Sequence, residues 1–227
     1  VSNPGQPAIS DANYPAQVAT VLDVDQFYRF LATDVLVGNQ EGGLQSARAD
    51  DVSIYRGLVD TRFRFVPHDM DDVFDIGAGV GDPLTRSIFS YDEFTQQGNT
   101  GLRGLRRMFS HPALLPKYYS ALLEGMDTWF NNATIDPIID RLMQGWVPAG
   151  TGADSPSRTI AAIKAFIAAR RANVLSQIQQ NYSLTTTGTT ADSLEGYKVT
   201  TTGAATFAGT FNVAKTFGIT VNGVGAQ

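Results

Sequence analysis

Apolar residues are spaced differently in successive parts of this 227-residue chain, and each change limits what the neighbouring segment can fold into. Between Asp23 and Gly38, Phe27, Phe30, Leu31 and Val35 recur at helical spacing. Asp23-Val-Asp-Gln26 precedes them as a capping box, its carboxylate and amide satisfying the first free N–H groups, and Gly38 ends the run. The spacing predicts a helix buried on one face. Residues 1–20, rich in Pro, Gly, Asn and Ala, read as an extended lead-in.

After a polar, glycine-rich loop the period falls to two. Val52 and Ile54 alternate with Ser53 and Tyr55, Gly57 to Asp60 make a turn, and Phe63 and Phe65 alternate with Arg64 and Val66, which predicts a β-hairpin. Pro67-His68-Asp69-Met70-Asp71-Asp72 follows, then the glycine-punctuated Gly77 to Asp82. Helical spacing returns near Leu102. Leu102, Leu105, Met108 and Phe109 carry one stripe, Pro112 suits a helix first turn, and Leu114, Tyr118, Leu122 and Met126 carry a second stripe. Ile135 to Met143 reads as a short helix. In the clearest helix Ile160, Ile163, Ile167, Val174 and Ile178 share a face, with Lys164 and Arg171 off it.

The tail differs in kind. Asn181 to Ser193 reads as a Thr/Ser/Gly linker, and Val199, Phe207, Phe211, Val213, Phe217, Ile219 and Val221 as short strands of an all-β module. A self-sufficient sandwich needs roughly 100 residues, so this module is expected to pair with something outside the chain or to begin a further domain. The boundaries read as a lead-in over 1–20, a helical lobe over 21–182, a linker over 183–193 and a partial β module over 194–227.

Composition removes several function classes. Without cysteine there is no disulfide framework and no thiolate zinc site, and His68 and His111 are too few for a histidine one. A net charge of −5 argues against nucleic-acid partners, which need a basic footprint. No apolar run approaches the ~20 residues of a membrane-spanning segment. VSNPGQPAIS has neither an initiator Met nor the basic and apolar regions of a leader, and reads as an internal piece of a longer protein.

The acidic residues carry the chemistry. Asn39 and Glu41 follow the first buried helix, Asp50 and Asp51 lead into the hairpin, and Asp69, Asp71 and Asp72 leave it. A hairpin brings its outer ends together, so Asp51 and Asp69 are expected to be neighbours. Carboxylates gathered at one point repel one another unless protonated or neutralised by a cation, and hard divalent metals favour such oxygen shells. The same residues also suit turns and caps on a solvated edge, and both readings stand at this point. Gly77-x-Gly79-x-Gly81 lacks the strand and helix of a phosphate loop. An EF-hand over Asp69 to Val80 fails at Phe74 and Val80. His68 reads as a hydrogen-bonded structural histidine or an outer partner of a metal, and Arg103, Arg106 and Arg107 as a solvated helix face.

VGNQEGG, DDVSIYRG and DTRFRFVPHDMDDVFDIG, in that order, resemble the CotH kinase family, the spore-coat-type atypical protein kinases. GLRGLRRMFSHPALLPKYYSALLEGM and AAIKAFIAARRANVL resemble its helical C-terminal half, so the likeness covers roughly residues 20–182. The resemblance implies an α+β fold: a mostly helical atypical-kinase C-lobe with a small hairpin at the metal site, followed by the start of an all-β, sandwich-like module. Asp69 then matches the metal-binding aspartate, Asp51 a position where the family often has a metal-holding Asn, and Glu41 the catalytic aspartate that orients the acceptor hydroxyl. Mg2+ or Mn2+ with ATP is the implied cofactor, with Asp51, Asp69 and Asp71 toward the metal and Asn39, Asp51 and Asp71 toward the nucleotide.

The implied reaction is transfer of the ATP γ-phosphate to Ser or Thr of surface or coat proteins. Its partners are a protein substrate or neighbouring domains of the same large chain, at an extracellular or bacterial cell-surface location. Glu41 departs from the family pattern, and Phe74-Asp75-Ile76-Gly77 carries two more residues than Phe-Gly. Lys117, Lys164, Lys198 and Lys215 all follow the acidic cluster, leaving no phosphate-holding strand Lys ahead of it. The chain by itself is therefore expected to be inactive, as the lobe of a larger kinase. The alternative is an inactive, structural kinase-like module of a large extracellular protein, and the alternative ion is a structural Ca2+.

Overall fold

Helix α2 (Val24–Val37) is the member around which the first unit is built. A computed structural model describes residues 9–40, 52–74, 82–90, 103–145, 159–178, 183–191, 198–200, 203–210, 220–221 and 224–225. Within α2 every residue except Asp25, Gln26, Arg29 and Thr33 is buried. The buried face is wider than the apolar stripe alone predicts: Asp25, Gln26, Arg29 and Thr33 share one sector, and neighbours cover the rest of the helix.

The first of these is the hairpin of β1 (Val52–Arg56) and β2 (Phe63–Pro67), antiparallel with Val52 opposite Pro67 and Arg56 opposite Phe63. Its β2 strand lies on α2, with the Phe65 ring 4.8 Å from Phe27 and 5.6 Å from Phe30. The capping box forms only in half. Asp23 accepts the Gln26 N–H at 3.4 Å, but the Gln26 amide turns to β2, donating to the Phe65 carbonyl at 2.6 Å and accepting its N–H at 3.0 Å. A strand edge offers one donor and one acceptor per residue, and a carboxamide supplies the complement of both.

An expected extended stretch is helical instead: α1 (Tyr14–Val21) precedes α2, with Pro15 in its first turn, where the missing N–H does no harm. Tyr14 is buried beneath the Arg107 guanidinium, 4.0 Å from its ring centre. Arg107 also donates to the Ile9 carbonyl and the Asp11 carboxylate, which corrects the solvated-face reading for that residue.

Among the described residues four further helices belong to the unit: α3 (Arg103–Ser110), α4 (Leu115–Thr128), α5 (Asn132–Leu142) and α6 (Ile160–Gln177). Pro116, rather than Pro112, occupies the first turn of α4. Helix α5 begins earlier than its apolar pattern suggests, because the Asn131 side chain caps it by accepting the Thr134 N–H at 2.9 Å. Helices α2 and α4 pack closely at Gly125, where a Cβ would lie 2.7 Å from Leu36 Cδ1. Tyr28, Phe89, Phe109 and Tyr118 cluster nearby, with Phe109 4.9 Å from Tyr118. Burial pushes the Tyr28 and Tyr118 phenols up, so both stay neutral donors, to the Met108 and Ile88 carbonyls.

Contacts divide the chain into two units, Val1–Gln177 and Ile178–Gln227. In the second, β3 (Ser183–Thr187) pairs antiparallel with β6 (Thr206–Thr210), β4 (Thr190–Ala191) with β5 (Lys198–Val199), and β7 (Thr220–Val221) with β8 (Val224–Gly225). The expected linker over 183–193 thus carries β3 and β4, where β-branched threonines favour an extended chain. The fold class is α+β, with helices predominant and small antiparallel sheets. Among the described residues no helix is long and apolar enough to cross a membrane.

Candidate functional site

The end of α2 is where the predicted motifs meet. Gly38 adopts a left-handed conformation (φ 68°) and returns its N–H to the last turn of the helix. A Cβ there would lie 2.8 Å from Phe166 Cζ and 3.2 Å from Pro83 Cβ, so glycine is required by backbone and by packing alike. The turn directs the chain into Asn39, which is buried. Its N–H reaches the Asp34 carbonyl at 3.0 Å and its Nδ2 the buried Asp34 carboxylate at 3.3 Å.

The peptide unit that follows is gripped on both sides. The Asn39 carbonyl accepts from Arg86 Nη1 at 2.9 Å, and the Gln40 N–H donates to the Asp72 carbonyl at 3.0 Å. The segment after α2 and the acidic loop after β2 are thereby joined. A second main-chain bond, from the Phe74 N–H to the Val37 carbonyl at 2.8 Å, closes the far end of that loop. Asp69 and Phe74 bracket the loop with positive φ, 50° and 58°. Aspartate tolerates that conformation, whereas a bulky side chain adopts it only when its surroundings compel it. Here Phe74 stands edge-on to Phe166, with ring centres 6.2 Å apart.

Within the loop the carboxylates have separate settings. Asp69 and Asp71 are exposed, as is His68. Asp72 is buried, with Oδ1 shut off from solvent, so the solvated-turn reading fails for this residue. His68 makes no hydrogen bond among the described residues, so the hydrogen-bonded histidine reading is not met either. Of the expected site residues, Asn39, Asp69 and Asp71 lie in the described segments. Glu41 and Asp51 lie outside the described residues, as do Asp50 and the Gly77–Gly81 run, so the expected approach of Asp51 to Asp69 falls there too. The hairpin register brings Val52 opposite Pro67, just before this loop. Among the described residues no group of three His, Cys, Asp or Glu side chains is gathered for a metal ion. The oxygen donors at hand, exposed Asp69 and Asp71 carboxylates beside an ordered main chain, are of the kind a hard divalent cation takes. The lysines of this unit are engaged elsewhere: Lys117 with Asp25 at 2.7 Å and Lys164 with Asp140 at 2.6 Å.

Sequence reasoning missed the residue beneath the site. Arg170 is 1% exposed and lies on the apolar face of α6 among Ile163, Phe166, Ile167 and Val174. Its Nε donates to the Val35 carbonyl at 3.1 Å, and its Nη1 to the carbonyls of Leu84 (2.9 Å) and Arg86 (2.7 Å) and to Asn173 Oδ1 (2.9 Å). Gln177, farther along α6, accepts the Ile88 N–H at 2.9 Å. A polar edge of α6 therefore holds both the last turn of α2 and the 84–88 segment. The available signal was an arginine at a position where helical periodicity calls for an apolar side chain. Arg86 carried no comparable signal.

A family model described as CotH kinase protein matches residues 3–183. No curated protein matches the chain.

Proposed function

The chain belongs to the CotH kinase family, and we propose that its helical unit serves as the metal-holding lobe of a phosphotransferase that moves the γ-phosphoryl group of ATP onto Ser or Thr hydroxyls of a surface or coat protein. The observation that carries this reading is the pair of main-chain bonds, Gln40 to Asp72 and Phe74 to Val37, which join two motifs distant in sequence. The positive φ of Asp69 and Phe74 supports it, since backbone held in sparsely populated conformations concentrates at functional sites.

In this reading Asp69 and Asp71, with Asp51, hold Mg2+ or Mn2+, and Asn39, buried with its amide on Asp34, backs the nucleotide side through its main chain. The metal, when bound, neutralises phosphate oxygens. Glu41 orients the acceptor hydroxyl and takes its proton as the hydroxyl oxygen bonds to the γ-phosphorus. The bond from that phosphorus to the bridging oxygen breaks, and ADP leaves with the electron pair. Most of the rate enhancement in such chemistry comes from positioning and electrostatics, which calls for a rigid frame under the carboxylates.

The test is Mn2+ with ATP added to the protein. A ligand at 100 times its Kd stabilises the folded state by ~2.7 kcal/mol, a readily measured thermal shift. The expected result is a shift that Asp69→Asn abolishes, together with label transfer from γ-labelled ATP to a Ser/Thr acceptor when the lobe is part of the larger kinase, and none from the lobe alone. No shift in the wild-type protein, or an equal one in Asp69→Asn, overturns the reading. A second reading, an inactive kinase-like module, draws on Glu41, whose extra methylene displaces the carboxylate by ~1 Å where near-attack geometry is demanding. Nucleotide binding without label transfer in the larger kinase selects it.

A further inference from the structure

We infer that Arg86 is a positioning residue of this site and that Arg170 is what holds Arg86 in place; the inference rests on the phosphotransferase reading above. A trans peptide is planar, with its C=O and N–H on opposite sides. In the Asn39–Gln40 unit the carbonyl is bound by Arg86 and the N–H by the Asp72 carbonyl, so one plane is fixed from two directions. That plane immediately precedes Glu41 in the chain, and its N–H side is the direct tie to the acidic loop. Rotating it would redirect the chain at Glu41 and release Asp72 together.

Arg86 can hold this plane because its own main chain is immobilised. Its carbonyl accepts from Arg170 Nη1 at 2.7 Å and from Gln177 Nε2 at 3.3 Å, while the neighbouring Leu84 carbonyl is also held by Arg170. Arg170 grips the Val35 carbonyl at the same time, so α2 and the Arg86 segment share one buried anchor. The route from α6 to the site thus runs from Arg170 to the Arg86 backbone, along the Arg86 side chain, to the Asn39 carbonyl. Arg86 acts on the site through that carbonyl and through the peptide it belongs to.

The experiment measures Mn2+·ATP affinity of the full chain by Mn2+ paramagnetic resonance, beside the melting temperature of each variant. Binding is read at a temperature where all variants are folded. Arg86→Met removes the donors while retaining length, and is expected to weaken binding roughly 10–100-fold, as loss of an outer partner of a metal site does. Arg86→Lys, which restores a single donor, is expected to recover most of the affinity. A residue with a merely structural role would lower the melting temperature and leave the affinity of the folded protein unchanged. Wild-type affinity in Arg86→Met overturns the inference, and so does a lysine variant as weak as the methionine one, because that traces the loss to packing. Should Arg86→Met not fold, Arg86→Gln is read in the same way. No Mn2+·ATP binding by the wild-type protein overturns the phosphotransferase reading itself, and the inference with it.

Discussion

The two ends of α2 are fastened by different means. At the N-terminal end the ties are side chains near the surface: Asp23 receives Arg64 at 3.1 Å, Arg62 and Arg64 reach Asp60, and Gln26 pairs with Phe65. At the C-terminal end the ties are buried or main-chain groups: Arg170 on the Val35 carbonyl, Asn39 on Asp34, Gln40 on Asp72 and Phe74 on Val37. Exposed ion pairs exchange readily with water and contribute little, whereas a buried carbonyl that loses its donor has no solvent to replace it. The difference explains how a helix can hold a hairpin adaptably at one end and a candidate catalytic loop rigidly at the other.

Arg170→Met attacks the rigid end most directly. It takes the guanidinium from the Val35, Leu84 and Arg86 carbonyls, at about 1–3 kcal/mol for each group. Val35 and Arg86 keep the Gly38 N–H and Gln177 Nε2 as donors, so a stability loss of about 3–5 kcal/mol, the lower part of the summed range, is expected in urea unfolding. Gly38→Ala comes next. A left-handed alanine costs about 1–2 kcal/mol and the contact with Phe166 about 1–3 more, so about 2–5 kcal/mol is expected, with weakened Mn2+·ATP binding. A Gly38→Ala protein as stable as the wild type would show that this turn tolerates rearrangement, and the contrast would disappear.

At the other end Gln26→Ala removes the bonds to Phe65 and is expected to destabilise by about 1–2 kcal/mol while leaving Mn2+·ATP affinity untouched. An affinity loss there would mean that the hairpin, too, sets the site. The smallest effect belongs to Asp60, whose carboxyl the Arg62 guanidinium and backbone N–H hold well below the usual carboxylate range. Its folded value is depressed, so its contribution is fully present above the unfolded value near ~3.9 and is lost as pH falls through the folded one. Acid titration of the melting temperature below about pH 4 should therefore be shallower in Asp60→Asn than in the wild type, the small difference present near neutrality closing in acid.

The accuracy of the sequence reading follows the same division. The α2 run, the Gly38 stop, the hairpin and the apolar face of α6 were legible, because each rests on contacts between residues close in sequence or on a simple period. Helix α1 was missed because Asn13 and Pro15 look like loop residues until Tyr14 is buried under Arg107. Gln26 looked like half of a capping box, and only the nearness of β2 gave its amide better partners. In the site, the acidic loop was evident from composition, yet sequence could not separate exposed Asp69 and Asp71 from buried Asp72, which differ in surroundings and not in type.

Sequence by itself determined the order of helices and strands and the family motifs that lie along them, since side-chain period and residue identity are local properties. Tertiary structure decided that the Asn39–Gln40 peptide meets Asp72, that Val37 meets Phe74, and that an arginine far along the chain underlies them all. Those meetings are made largely by backbone N–H and C=O groups, which nearly every residue carries alike, so no residue type announces them in advance.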